Sequence, residues 1–306
     1  MKFLKFNVFI LLFTSILLCI PSFLFARAEE RIEEAHPLDR DGKVYLENIS
    51  GNIVVKSWEK NEVKILARKV AKNEESLDKI SFDVNQTNNN IRIKTRYKKT
   101  WGLFKSVNAS VHYDLLIPDK AQLRVKSVSG SVEALNIGGS VDIETVSGRI
   151  ELVEAGKGAK CKSISGSVYV EEITGNAVLN STSGKVHAES VKGSVEAHSV
   201  SGSIVLREIS LAEEIKAESI SGSIKMLGEL SPGGNYEFKT ISGGIRLDLP
   251  SKSDFELEAN TMSGTVRCNF ELKVSGKISR KKIQGVAGKG GSSLKISSLS
   301  GGITIN

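Results

Sequence analysis

The sequence predicts an all-β fold, a parallel β-solenoid with two short strands per coil of about 18–21 residues. Three observations carry this. A Ser-Gly pair recurs with fixed neighbours, its glycines standing at Gly51, Gly130, Gly148, Gly166, Gly184, Gly202, Gly222, Gly243, Gly264 and Gly301. The residues on either side alternate apolar and polar with period two, the side-chain period of a strand. Aromatic residues make up only 6% of the 306-residue chain, which suits a thin core of Val, Ile, Ala and Ser better than a bulky enzyme interior.

Aligned on the glycine, the copies agree column by column. The residue before it is always Ser, and the residue two after it is always Val or Ile, as in Val132, Ile150, Val168 and Ile204. Three before it stands a hydroxyl (Ser127, Thr145, Ser163, Ser181, Ser199, Ser219, Thr240, Thr261, Ser298), replaced by Asn48 in the first copy. The template is apolar-x-apolar-x-Ser/Thr-apolar-Ser-Gly-x-Val/Ile-x-apolar. Each copy reads as two strands meeting at a corner, where glycine is expected to take a left-handed conformation and serine to bond backbone groups freed by the bend. A second corner falls halfway between, at Gly139, Lys157, Gly175 and Gly193.

The spacing is 18 residues from Gly130 to Gly202, then 20, 21 and 21 to Gly264, with the extra residues in loops such as Leu230–Gly234 and Pro250–Ser253. Stacked in chain order at about 4.8 Å, the seven steps from Gly130 to Gly264 would span roughly 34 Å. One coil cannot bury enough apolar surface to stand alone, so stability is expected from stacking on neighbours. The outward columns six and four before the glycine, such as Arg124, Asp142, Lys160 and Lys126, Glu144, Lys162, set opposite signs on successive rungs and read as solvated walls.

Residues 1–28 read as a secretory signal, with Lys2 and Lys5, an apolar run from Val8 to Ile20, and Ala26-Arg27-Ala28 at the end. The alternatives are an uncleaved membrane anchor and, from Cys19, a lipoprotein site that lacks the usual small residue before the cysteine. The net charge is +7; the leader holds three of the cations, Lys2, Lys5 and Arg27, and no acid, leaving +4. That is too little for a nucleic-acid binder. The expected location is exported: periplasmic, cell-surface or secreted.

After the leader come an acidic lead-in (29–43), an irregular β region (44–128) and the regular array (129–306) with a basic insertion at 269–293. The stretch between Gly51 and Gly130 alternates at Val63–Val70, Ile80–Val84, Ile91–Tyr97 and Ser110–Ile117. It reads either as degenerate coils continuous with the stack, the preferred reading, or as a separate β-layer. The chain ends on a repeat copy with no evident cap. An open edge invites strand pairing, so the 269–293 segment or another chain is expected to cover it.

Catalytic, cofactor and metal motifs are not found. His36, His112, His187 and His198 form no metal spacing or nucleophile–base pair, and Cys161 and Cys268 fall on inward columns five coils apart, about 24 Å, beyond disulfide reach. The segment most like a binding site contains Arg92, Lys94, Arg96, Tyr97, Lys98, Lys99, Trp101 and Phe104. Cations and aromatics interleaved in this way hold anionic glycans or lipid headgroups. The plainer reading, which is favoured, is a strand with outward lysines and a loop whose aromatics fold back.

The leader, the first copy Ile-Ser-Gly-Asn-Ile-Val-Val, the Val/Ile-Ser-Gly-Ser-Val array and the closing Lys-Ile-Ser-Ser-Leu-Ser-Gly-Gly-Ile-Thr-Ile together resemble the bacterial putative-adhesin family, over roughly residues 40–306. That resemblance implies an exported β-strand-repeat domain of unknown function with no catalytic motif. The expected function is therefore a non-enzymatic adhesin-like solenoid binding a cell-envelope polymer, an anionic surface or an envelope protein. The alternatives are an envelope scaffold self-associating end to end, or a polysaccharide-acting β-helix enzyme.

Overall fold

The computed structural model describes residues 27–98, 109–274 and 279–306. It is an all-β stack of coils, each giving one strand to a 14-stranded sheet and one to a 13-stranded sheet. The expected period appears directly in the pairing. Ile143 lies beside Cys161, Cys161 beside Leu179 and Leu179 beside Ala197, all parallel and 18 residues apart. The inward columns of both sheets make one continuous core of Val, Ile, Leu and Ala.

The corner works differently from the expectation. Only Gly51 (φ 115°) and Gly130 (φ 123°) are left-handed among the Ser-Gly glycines. Glycine is needed instead because the corners touch. A Cβ on Gly148 would overlap the carbonyl oxygen of Gly130, one on Gly166 that of Gly148, and so on rung by rung. The bonding hydroxyl is likewise not the corner serine but the buried one three residues before the glycine. Ser181 Oγ accepts from the Gly184 N–H at 2.8 Å and donates to the Gly166 carbonyl one coil back at 2.9 Å. Thr240, Ser298 and Thr261 repeat the pattern. These residues close two backbone groups per coil that would otherwise be buried unpaired.

Left-handed backbone sits in the opposite sheet, at Asn136, Glu154, Glu172, Ser190 and Glu208, with φ between 51° and 64°. There the pairing skips a residue, Val153 lying beside Glu171 and Ala155 beside Ile173. This left-handed kink, repeated in register from coil to coil, turns Ala155 and Ile173 back into the core.

Space does not follow chain order at either end. The Gly51 coil (Lys43–Ser50 and Ile53–Trp58) lies between the coil of Asn90–Tyr97 and Ala109–Pro118 and the Gly130 coil. The last copy, Ser293–Ser298 and Ile303–Ile305, slips between the Gly243 and Gly264 coils. From Gly130 to Gly264 there are thus eight steps rather than seven, about 38 Å, and Cys161 and Cys268 are six coils apart rather than five. Cys161 is fully buried, whereas Cys268, near the end of the stack, is half-buried; burial pushes both thiols up.

The ends are antiparallel, unlike the parallel coils expected throughout. The acidic lead-in is a strand, Ala28–Pro37, paired with Glu62–Ala71, which pairs in turn with Ala109–Pro118. Ile80–Thr87 covers Asn90–Tyr97. The irregular region is therefore continuous with both sheets and also carries an antiparallel outer layer. At the far end Lys282–Ala287 runs antiparallel to both Phe255–Thr261 and Leu272–Val274, so the basic insertion covers the 14-stranded sheet. In the 13-stranded sheet the last strand is only Val266–Cys268.

Two stability outcomes follow. Ser181→Ala should cost about 1–3 kcal/mol in denaturant unfolding. Ser127→Ala should cost clearly less, because Ser127 Oγ has no partner. Equal costs would remove the hydroxyl column as the cause. Glu172→Gly should stabilise by roughly 0.5 kcal/mol, because relief of the left-handed strain exceeds the glycine entropy cost; the neighbouring Glu171→Gly, in regular strand, should destabilise.

Candidate functional site

The residue between the buried hydroxyl and the corner serine is apolar in nine of ten copies, yet alternation points it outward. In spatial order the column runs Ile49, Val128, Val146, Ile164, Thr182, Val200, Ile220, Ile241, Leu299, Met262. Its large apolar members are between 40% (Val146, Val200) and 67% (Met262) exposed. At one residue per rung this is an aliphatic ladder about 43 Å long. Isolated exposed aliphatics need no explanation, but a contiguous stripe does.

Beside the ladder, two residues earlier in each coil, runs a polar column: Lys94, Glu47, Lys126, Glu144, Lys162, Asn180, His198, Glu218, Lys239, Ser297 and Asn260. The two columns together line a shallow furrow from Lys94 to Lys162, and it continues from Lys162 to Ile241. Its floor is the buried hydroxyl row, Ser127, Thr145, Ser163, Ser181, Ser199 and Ser219.

Charge along the furrow alternates, as the sequence leads one to expect. Lys94 Nζ meets Glu47 at 2.6 Å, Lys126 meets Glu144 at 3.1 Å, and His198 Nδ1 meets Glu218 at 3.4 Å. The hydrogen bond from Lys94 holds the Glu47 carboxyl below its usual range. At Glu144 desolvation pushes upward, but Lys126 and Arg124 outweigh it and the carboxyl again lies low. Among the described residues Lys162 and Lys239 carry no ion pair. The other sheet does not alternate: Glu133 lies beside Glu151 and Glu171 beside Glu189.

The cation–aromatic segment singled out in the sequence lies on the strand next to the end of the 14-stranded sheet. Its described members are engaged with neighbours. Arg92 lies over the Tyr45 ring at 5.4 Å, Lys94 holds Glu47, and Arg96 is bonded to Asp83. Tyr97 is half-buried, donates to the Ala109 carbonyl at 3.2 Å, and burial pushes its hydroxyl up to about 12. Lys98 closes the strand through its backbone N–H to Lys79. Lys99, Trp101 and Phe104 lie outside the described residues. Of the described members, the structure brings only Lys94 into the furrow.

The ladder was legible but unread: an apolar residue in nine of ten copies, in phase with outward positions, is the signal. Because these side chains are already half in water, Ile164→Ser and Val200→Ser should each change unfolding free energy by less than about 0.5 kcal/mol. A loss as large as that of a core position would mean that the column belongs to the interior.

The fold and the repeat invite comparison with known proteins. A putative adhesin from Parabacteroides merdae, of known structure, superposes with a TM-score of 0.51 over 90% of this chain and 96% of that one, at 9% identity. A putative adhesin from Parabacteroides distasonis gives 0.47 over 90% and 97% at 8% identity, and a putative lipid binding protein from the same organism 0.42 over 90% and 96% at 11%. At such identities only the first likeness bears on the fold, and none bears on activity. No curated protein matches the sequence. The repeat that builds the two sheets is matched from residue 42 to residue 306 by Toastrack DUF4097, and the chain belongs to that family.

Proposed function

We propose that this protein is a non-enzymatic, adhesin-like module of the cell envelope and that the aliphatic ladder is its working face. The observation carrying this reading is the contiguous ladder with a charged column beside it, repeated once per rung on a rigid two-sheet support. A fold that spends an apolar residue on solvent in nearly every coil gains no core from it, so the column is accounted for by something that covers it. A repeat of two strands per 18–21 residues would offer an extended partner one ladder residue per rung.

Export rests on the leader at residues 1–28, most of which lies outside the described residues. Among the described residues no helix is long and apolar enough to cross a membrane. A polysaccharide-acting enzyme would need two carboxylates roughly 5–9.5 Å apart at one point of a cleft. Of the furrow carboxylates, Glu144 and Glu218 are four rungs, about 19 Å, apart, and Glu47 and Glu144 two rungs, about 10 Å, with Lys126 between them and each carboxylate already held in an ion pair. End-to-end scaffolding is disfavoured at three of the four sheet ends, where the last strands are short (Val266–Cys268, Leu272–Val274) or rich in charge (Ala28–Pro37); the fourth, Ile80–Thr87, is an eight-residue edge with one charge.

The test is co-sedimentation of the purified protein with isolated envelope polymers and with anionic vesicles. It is run beside a ladder variant (Ile164→Ser, Val200→Ser, Ile220→Ser) and a loop variant (Lys98, Lys99, Trp101 and Phe104 to Ser). The ladder variant should lose at least about tenfold in binding while the loop variant keeps it. Loss in the loop variant alone would move the working site to the 92–105 segment.

A further inference from the structure

Tyr45 breaks the pattern of its column. From Arg92 to Glu258 the outward column that contains Arg124 and Asp142 holds charged side chains, apart from Val178 and Tyr45. We propose that Tyr45, Arg92 and Arg124 form a binding site for a phosphate group carried on an anionic polymer. The site lies one column over from the furrow and stands or falls separately from the ladder.

Tyr45 has Arg92 beside it on one neighbouring strand and Arg124 on the other. Arg92 sits over the tyrosine ring at 5.4 Å from its centroid, which orients the guanidinium. Lys43 stands two residues earlier on the tyrosine's own strand, and Lys94 and Lys126 stand two residues on from the arginines. An open pocket of about 280 Å³ lies here, lined by Tyr45, Leu46, Glu47, Arg92, Arg124 and Lys126. The three residues meet only because the Gly51 coil is inserted between Asn90–Tyr97 and Gln122–Ser129, out of chain order. Sequence patterning therefore singles out Arg92 but not its two partners.

The donors of this pocket are not used up within the chain. Among the described residues neither the Arg92 guanidinium nor the Tyr45 hydroxyl makes a hydrogen bond or an ion pair. Arg124 reaches Asp142 and Glu144 only at 3.5 Å each, and its Nε donates to nothing. A formed charge-assisted bond is about 2.7–2.9 Å, so this guanidinium is not locked in place. Glu47, the one carboxylate lining the pocket, is taken up by Lys94 at 2.6 Å. With Asp142 and Glu144 added, three acids face the five cations Lys43, Arg92, Lys94, Arg124 and Lys126, while Asp83 and Arg96 bond each other.

An occupant of such a pocket carries negative charge and accepts hydrogen bonds. The two arginines approach from rungs about 10 Å apart, with the hydroxyl between them. A carboxylate turns both oxygens to one side and is filled by a single guanidinium fork, whereas the oxygens of a phosphate spread tetrahedrally and meet both forks and the hydroxyl together. A flat anionic surface fits poorly, because laid on this wall it would meet Asp142, Glu144, Glu196 and Glu218 at the same time. A chain crossing the strands presents one phosphate at a time, at the point where cations outnumber acids.

The test is titration calorimetry of the purified protein at about 50 mM salt, where screening is modest. The probes are a glycerol-phosphate oligomer of about ten units, poly-glutamate of matched length, and vesicles with roughly 30% phosphatidylglycerol in a neutral lipid. The wild type should bind the phosphate oligomer with a Kd below about 100 μM, and poly-glutamate at least about tenfold more weakly. Arg92→Gln/Arg124→Gln should weaken oligomer binding at least about tenfold, and Tyr45→Phe roughly two- to tenfold. Lys239→Gln/Lys295→Gln removes two cations from distant rungs of the same wall and should change it less than about twofold. All these side chains stand on the outer wall, so melting curves should match the wild type. Absence of oligomer binding overturns the proposal, and so do equal losses in the two double variants, equal affinity for poly-glutamate, or binding confined to the vesicles. The ladder variant should keep its affinity for the oligomer, so failure of the ladder in co-sedimentation and failure of this site are separate results.

Discussion

The contact of one corner with the next is the constraint on which the stack depends. At each Ser-Gly corner from Gly130 on, the backbone of one coil rests on the glycine carbonyl of the coil before it, and Gly51 on the carbonyl of Val111, with no room for a Cβ between them. The same approach brings that carbonyl within reach of the buried hydroxyl of the next coil, which also takes the N–H of its own glycine. Steric need and hydrogen-bond satisfaction therefore act on one column. From Ser163 onward, removing water from this row of backbone groups is tolerable because each finds a hydroxyl partner, and the partners arrive at this spacing.

From that column the rest follows in order. A fixed rung spacing puts one small or aliphatic side chain on another through both sheets, which builds one core from coils that individually could not hold one. It also carries whatever stands on the outer wall along the whole length of the molecule. An aliphatic residue placed once in the repeat becomes a ladder, and a charge that changes sign from copy to copy becomes an alternating stripe. Function on such a scaffold is a property of columns rather than of single residues, which is why the single-residue clusters of His, Cys and acids are uninformative here.

The ends of the stack are built differently from its middle. Both chain-terminal repeat copies are held one rung inside the stack, each paired on both sides. The outermost strands are instead antiparallel additions or three-residue pieces. Fraying of either terminal copy would thus require separating two interfaces at once.

Much of this was legible in the amino-acid sequence. Period-two alternation gave the strands, including those at Glu62–Ala71 and Ala109–Pro118, and the glycine spacing gave the pairing register of 18. These are local signals repeated many times, so chance agreement averages out. The residues of the ladder were equally visible, but their exposure depends on which face each sheet buries. The insertion of the Gly51 coil beside Gly130, and of the Gly301 coil between Gly243 and Gly264, was decided only in the tertiary structure. Every coil presents the same column pattern to its neighbours, so the repeat specifies how coils stack but not in which order. That order is set by the lengths of the connections and by the antiparallel strands at the ends, which carry no repeat signature. The closeness of the glycine corners, too, belongs to the assembled stack, because the steric clash that excludes a side chain exists only between coils.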